Sequence, residues 1–145
     1  MILTHPNRDN IEKIKVLYKK NKDALGIPFG RVFDAMIDNQ DFVVCISDNG
    51  EIMGFCGIQY RPRLGYFEIE HLCVDTLYRK QHIATVMLKT LISRYRLCCL
   101  PFCALAIDGM ENNTFYDRIS KGYTKVPRKH CTLRRYIIDV DKVII

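Results

Sequence analysis

Apolar positions come in short runs parted by polar turns, and the spacing within the runs changes along the chain. Ile11, Ile14, Val16, Leu17 and Tyr18 form a rough helical stripe. Asp9 stands at its start as a cap, and Lys19, Lys20 and Lys22 close it at the negative end of the helix dipole. This predicts a helix from Asp9 to about Asn21. Gly26-Ile-Pro28 breaks the pattern, and Phe29, Val32, Phe33 and Met36 fall on one side of a second helix, Phe29 to Ile37. The spacing then shortens. Asp41 to Ser47 reads as a strand, Asp48-Asn-Gly50 as a hairpin turn, and Ile52 to Tyr60 as the returning strand. Arg61-Pro-Arg-Leu-Gly65 turns the chain into a third strand, Tyr66 to Val74. Ile83, Val86, Met87 and Leu91 recur every three or four residues and predict a helix from Ile83 to about Arg94. Pro101 opens an apolar strand, Phe102 to Ile107, which Asp108-Gly109 ends. Asn112 or Asn113 caps a short helix through Ser120, with Gly122-Tyr123 as its stop. Two strands, near Tyr123 to Val126 and Cys131 to Ile138, come last.

Helices, then a strand meander, then strand–helix–strand–helix–strands, is the order of an α+β fold with a mixed, mostly antiparallel central sheet flanked by helices. The strand–helix–strand unit from Tyr66 to Ile107 makes its two strands parallel neighbours. At 145 residues, without repeat or linker, the expectation is one domain over residues 1–145. About half the residues are apolar and a quarter charged, as in an ordinary globule. The seven cysteines are an odd number, and most sit in apolar runs. They suit reduced, buried thiols in a cytoplasmic protein, and no pair has the spacing of a zinc site. The start turns polar at once and no run is long enough for a membrane. The net charge of +6 suits an acidic partner, either a phosphorylated cofactor or RNA, or serves solubility alone.

Chemistry concentrates on the third strand. By alternation Glu68, Glu70, Leu72 and Val74 share one face, and Phe67, Ile69, His71 and Cys73 the other. Two carboxylates on one face of an apolar strand are costly unless they meet water or a cation. Walled by apolar groups, such a carboxylate holds its proton more tightly and becomes a better base near neutral pH. In a solvated groove it instead pairs with lysines, and the pattern leaves both readings open. His71 is expected to face a helix, away from the glutamates. Cys73 has no base beside it in the pattern that would make it a nucleophile. The strand ends in a polar turn that enters a helix, and the free N–H groups and dipole at such a start favour an anion.

Arg79-Lys-Gln-His-Ile-Ala84 resembles the Arg/Gln-x-x-Gly-x-Gly/Ala turn of the GCN5-related N-acetyltransferases, whose element order the whole chain shares. His82 stands where the family has its central glycine. Asn112-Asn-Thr-Phe-Tyr-Asp-Arg-Ile-Ser-Lys-Gly-Tyr123 resembles the family's Asn-x-x-Ala-x-x-Phe-Tyr-x-x-x-Gly-Phe segment, with five residues rather than three between Tyr116 and Gly122. The resemblance implies acetyl-CoA as cosubstrate. Its pyrophosphate would lie on Arg79, Lys80, Gln81, His82, Ile83 and Ala84. Its acetyl-pantetheine arm would run along the backbone of Leu72, Cys73 and Val74, with Asn113 on the pantetheine side. The resemblance further implies Glu68 or Glu70 as general base and Tyr116 as the acid for the departing thiolate. The acceptor would be a primary amine of a small molecule or protein, seated between Leu25–Phe33 and the last strands, on a monomer or homodimer without a membrane. Two alternatives remain: a toxin-like enzyme acting on aminoacyl-tRNA, which the basic residues suggest, and a silent CoA-binding module.

Overall fold

The long apolar strands settle the architecture, because each must cover both faces of a sheet. The computed structural model describes residues 1–21, 31–79 and 82–144. Leu25, Phe29, Lys80 and Gln81, together with most of the expected acceptor groove, lie outside them. The strands are β1 (Ile2–Thr4), β2 (Phe42–Ile46), β3 (Ile52–Arg61), β4 (Tyr66–Val74), β5 (Phe102–Ile107), β6 (Ser120–Pro127) and β7 (Thr132–Ile138). They form one sheet in the order β1-β2-β3-β4-β5-β7-β6. Every neighbouring pair is antiparallel except β4 and β5, which are parallel, as the strand–helix–strand unit predicts.

The helices are α1 (Arg8–Lys20), α2 (Arg31–Asp38), α3 (Ile83–Tyr95), α4 (Asn112–Ile119) and a last turn, α5 (Val140–Val143). One face of the sheet packs with α1 and α2 through Ile14, Leu17, Met36, Phe42, Val44 and Phe55. The other face packs with α3, α4 and α5 through Ile58, Ile69, Met87, Leu91, Tyr116, Tyr136 and Val143. Leu88, Leu91 and Ile92 of α3 are fully buried. Each such side chain contributes roughly 1.5–3 kcal/mol, so α3 is anchored firmly where β4 enters it.

Several ends differ from expectation. Asn7, not Asp9, caps α1: its side chain accepts from Asn10 N at 3.0 Å while Asn10 returns the bond to Asn7 N at 3.1 Å. That reciprocal box satisfies two orphan donors, which Asp9 in the first turn does not do. Neither Asn112 nor Asn113 caps α4, which starts after Glu111 and ends at Ile119. Gly122 is no helix stop; with φ of 131° it sits in an irregularity of β6, which follows α4 directly. β1 and α5 carry no periodic signal and were not expected. Cys98 and Cys99 are exposed rather than buried, since the 3₁₀ turn after α3 brings them to the surface. Among the described residues no helix is long and apolar enough to cross a membrane.

Candidate active site

β4 does not alternate throughout. Gly57 pairs with Glu70 but Phe55 with Cys73, so His71 and Leu72 together oppose Cys56. This is a β-bulge, and His71 takes the left-handed conformation at φ 56° to make it. The extra residue reverses the faces beyond it. Glu68 and Glu70 lie on the α1–α2 side, since a Cβ on Gly57, the partner of Glu70, would meet Met36 Sδ of α2 at 2.5 Å. Cys73 joins them there, beside Phe55, while Leu72 and Val74 pack on the α3 side. The expected sharing of one face by Glu68, Glu70, Leu72 and Val74 therefore fails at the bulge. His71 also departs from expectation: its ring is 6.5 Å from that of Tyr18 of α1, on the side of the glutamates. Burial lowers its pKa to about 4, so it is neutral at physiological pH.

The same strand parts from its neighbour. β4 and β5 pair only through Phe67–Phe102, Glu68–Cys103 and Ile69–Ala104. Beyond that β4 runs on to Val74 and β5 to Ile107 without pairing to each other. The backbone of Glu70–Val74 thus faces a gap that opens toward the start of α3. Glu68 and Glu70 stand at the closed end of the gap, 3% and 7% exposed. Arg61 Nε lies 3.4 Å from Glu68 Oε2. Burial, a hydrogen bond with Glu68 and the charge of Glu68 push Glu70 up to about 8, with Arg61 opposing. Of the two acids, one is held by a cation and the other retains its proton near neutrality.

Tyr116 closes the gap from the α3 side. Its ring stacks on Tyr136 of β7 at 5.3 Å, and its hydroxyl is close enough to Cys56 of β3 to feel that thiol. Tyr116, Cys56 of β3, and Ala104 and Ala106 of β5 belong to the same buried core on that side of the sheet. Burial is the main cause that drives the pKa of Tyr116 well up. Asn113 is occupied locally: its Oδ1 accepts from Gly109 N at 2.8 Å and its Nδ2 donates to Ile107 O at 3.1 Å, shaping the loop after β5. Burial pushes the Cys73 thiol up to about 12, which leaves it a poor nucleophile.

At the open end, α3 starts without a side-chain cap. His82 occupies the N-cap position at φ 61° and ψ 19°, not the helical first turn. This is the left-handed region that glycine enters freely. Val86 N is the first amide bonded into the helix, to His82 O at 3.1 Å, so the N–H groups of Ile83, Ala84 and Thr85 precede the ladder. Ile83 turns its side chain into the core at 2% exposure, so it offers backbone only. Arg79 lies across the mouth. Its Nε donates to Val74 O at 3.3 Å, one Nη to Glu111 Oε2 at 3.5 Å and the other to Asn21 Oδ1 at 3.3 Å.

Arg61, Cys103 and Arg135 were not anticipated. Arg61 was within reach: the turn Pro62–Gly65 pairs Arg61 with Tyr66, which sets Gln59 against Glu68. Arg135 needed the order of strands, because β7 enters between β5 and β6.

A mixed sheet parted between two parallel strands, with buried acids beside the gap and an uncapped helix start at its mouth, defines an acyl-CoA N-acyltransferase fold. The acetyltransferase (GNAT) family profile matches residues 11–118, and the chain belongs to that family. No curated protein sequence matches significantly. Solved structures share the fold at low identity. An N-acetyltransferase from Staphylococcus aureus Mu50 superposes with a TM-score of 0.72 at 18% identity, over 96% of this chain and 98% of its own. A ribosomal-protein-alanine N-acetyltransferase from Brucella melitensis gives 0.70 at 15%, over 94% and 98%. N-acetylglutamate synthase from Neisseria gonorrhoeae, complexed with coenzyme A and N-acetyl-glutamate, gives 0.72 at 13%, over 94% of this chain and 35% of that one.

Proposed function

We propose that residues 1–145 form a single cytoplasmic N-acetyltransferase domain that moves the acetyl group of acetyl-CoA to a primary amine by direct attack. The observation that carries this reading is the parting of β4 from β5 directly beside Glu70, a buried carboxyl whose pKa is raised. Coenzyme A in the N-acetylglutamate synthase complex supports the choice of cofactor.

The pantetheine arm lies in the gap along Leu72, Cys73 and Val74, with Asn113 shaping the far wall. The pyrophosphate meets the N–H groups of Ile83 and Ala84, which precede the α3 ladder, with His82 and Arg79 beside it; Lys80 and Gln81, outside the described residues, belong to the same proposed turn. Arg79 exchanges its bond to Glu111 for a phosphate oxygen, a stronger partner for a guanidinium.

The acceptor approaches from the α1–α2 side. Its nitrogen attacks the acetyl carbonyl carbon, the C–N bond forms, and the C–S bond breaks. Glu70 takes the amine's proton in its ionised form, whose share grows as the pH rises toward about 8. It suits the role better than Glu68, which Arg61 holds. Backbone N–H groups in the gap steady the carbonyl oxygen as charge builds on it. Tyr116 gives its proton to the departing thiolate. Its raised pKa keeps the proton in place beforehand.

The test is acetyl transfer to a panel of primary amines, followed by release of free CoA thiol. Glu70→Gln should lower kcat by roughly a hundredfold at neutral pH with acetyl-CoA affinity little changed, and Glu68→Gln should do less. Full activity of the Glu70→Gln and doubly substituted enzymes would remove both carboxyls from the chemistry.

A further inference from the structure

We infer that Arg135 reads a carboxylate on the acceptor, so that the enzyme acetylates primary amines that carry an acid group at the far end of a short chain. This rests on the N-acetyltransferase reading above.

Successive residues of β7 point to opposite faces. Arg134 turns to the α3–α4 side, where Asp108, Asp117 and Tyr136 hold it. Arg135 turns to the side of the glutamates. Its guanidinium carbon is 5.9 Å from the ring centroid of Tyr66, the first residue of β4. β5 lies between β7 and β4, so the side chain crosses it. On the way it comes near Cys103, whose thiol feels both Arg135 and Glu68. The guanidinium therefore lies on the same wall as the proposed base.

Beyond the face of the Tyr66 ring, its charge has no anionic partner within the described residues. Arg61 takes Glu68, and no carboxylate there forms an ion pair with Arg135. Arg135 Nε is buried and has no hydrogen-bond partner among them. A guanidinium stays charged at all working pH values, and a desolvated donor without a partner costs stability unless a ligand answers it. Its planar fork matches a carboxylate with two parallel bonds.

The cofactor cannot supply that anion. Its phosphates belong at the Val74 end of β4, and eight residue steps at about 3.3 Å put Tyr66 roughly 26 Å away. The acceptor can. Glu70 stands four residues beyond Tyr66, roughly 13 Å along the strand. That span fits an amine and a carboxylate joined by several carbons better than the shared α-carbon of a free amino acid.

The experiment compares γ-aminobutyrate and ε-aminocaproate with their primary amides as acceptors of acetyl from acetyl-CoA, in the parent, Arg135→Gln and Arg135→Lys enzymes. The parent should favour each acid over its amide by roughly tenfold or more in kcat/KM, chiefly through KM. The ratio should fall toward one in Arg135→Gln and return in part with lysine. A loss of packing alone would lower both rates and leave the ratio. Equal use of acid and amide by the parent, or a preference that survives in Arg135→Gln, overturns the inference and leaves the transferase reading intact. Should neither amine be acetylated, the transferase reading still rests on the wider amine panel, and calorimetric binding of ε-aminocaproate decides the inference: binding weakened in Arg135→Gln upholds the carboxylate site, and no binding by the parent rejects it.

Discussion

At the scale of single residues, the pair Glu68 and Glu70 shows how one strand gives two like groups different states. Both are buried, and both lie on the same face of β4. Arg61 reaches Glu68, so that carboxylate has a counter-ion. Glu70 has apolar walls and a neighbouring acid, and both favour its neutral form. Folded Glu70 keeps its proton up to about 8, against 4.5 for an ordinary glutamate. Between those values the folded chain binds more protons than the unfolded one, so this group makes stability fall as pH rises. Glu70→Gln removes that titration. The stability of the variant relative to the parent should therefore rise from pH ~5 to pH ~8 and level off above. Urea unfolding midpoints across that range measure it. A difference that stays flat would place Glu70 in water with an ordinary pKa and weaken its claim to be the base.

At the scale of elements, what could be read from the chain was what has a period. β4 and β5 begin and end where their apolar runs do, and α3 starts at Ile83 as its stripe requires. β1 is only three residues long and exists because β2 offers it an edge. The bulge at His71 left no mark in the alternation, since Glu-Ile-Glu-His-Leu-Cys-Val reads equally well as a regular strand. The two acids, the turn into α3 and Tyr116 could be singled out in the chain because each is tied to a motif or an unusual polarity; the structure adds that the acids and the phenol are buried and that the helix start is uncapped, and their roles are the proposal made above. Arg135 was not, because its meaning depends on which strand lies beside β7. The start of α3 is the clearest case of a local rule broken. A non-glycine residue in the left-handed region costs roughly 1–2 kcal/mol, and His82 sits there without a capping bond in return. His82→Gly should release that strain, offset in part by the greater freedom of glycine in the unfolded chain, for a gain of up to about 1 kcal/mol. It should also tighten acetyl-CoA by removing a side chain from beside the phosphates. Thermal unfolding and titration calorimetry at two pH values check both. Weaker binding in the glycine variant, most so at low pH, would mean that the charged imidazole is itself a phosphate ligand.

At the scale of the whole molecule, the sheet is two sheets joined at a short seam. β1 to β4 form one antiparallel half, and β5, β7 and β6 the other. Three register pairs of β4 and β5 hold the halves together in the sheet itself. Elsewhere they are joined by side chains: α3 packs on β2, β3 and β4, α4 on β5, β6 and β7, the last turn α5 touches both helices, and Tyr116, Tyr136 and Cys56 share the core on that side. Such a seam leaves backbone groups of Glu70–Val74 and Leu105–Ile107 without a strand between them, at the cost of cooperativity between the halves. A cofactor arm inserted there acts as the absent strand. It should couple two regions that are distant in sequence, and the coupling is visible as protection. Amides that exchange through opening of the seam should slow together on both sides when acetyl-CoA is added. At a hundred times the dissociation constant the stabilisation is about 2.7 kcal/mol, which is roughly a hundredfold slowing where exchange requires that opening. Hydrogen exchange read by mass spectrometry on peptides over residues 66–74 and 102–107 measures it. Slowing confined to the start of α3 would mean that the phosphates bind while the arm stays outside the gap, and the gap would then lose its role as the site of transfer.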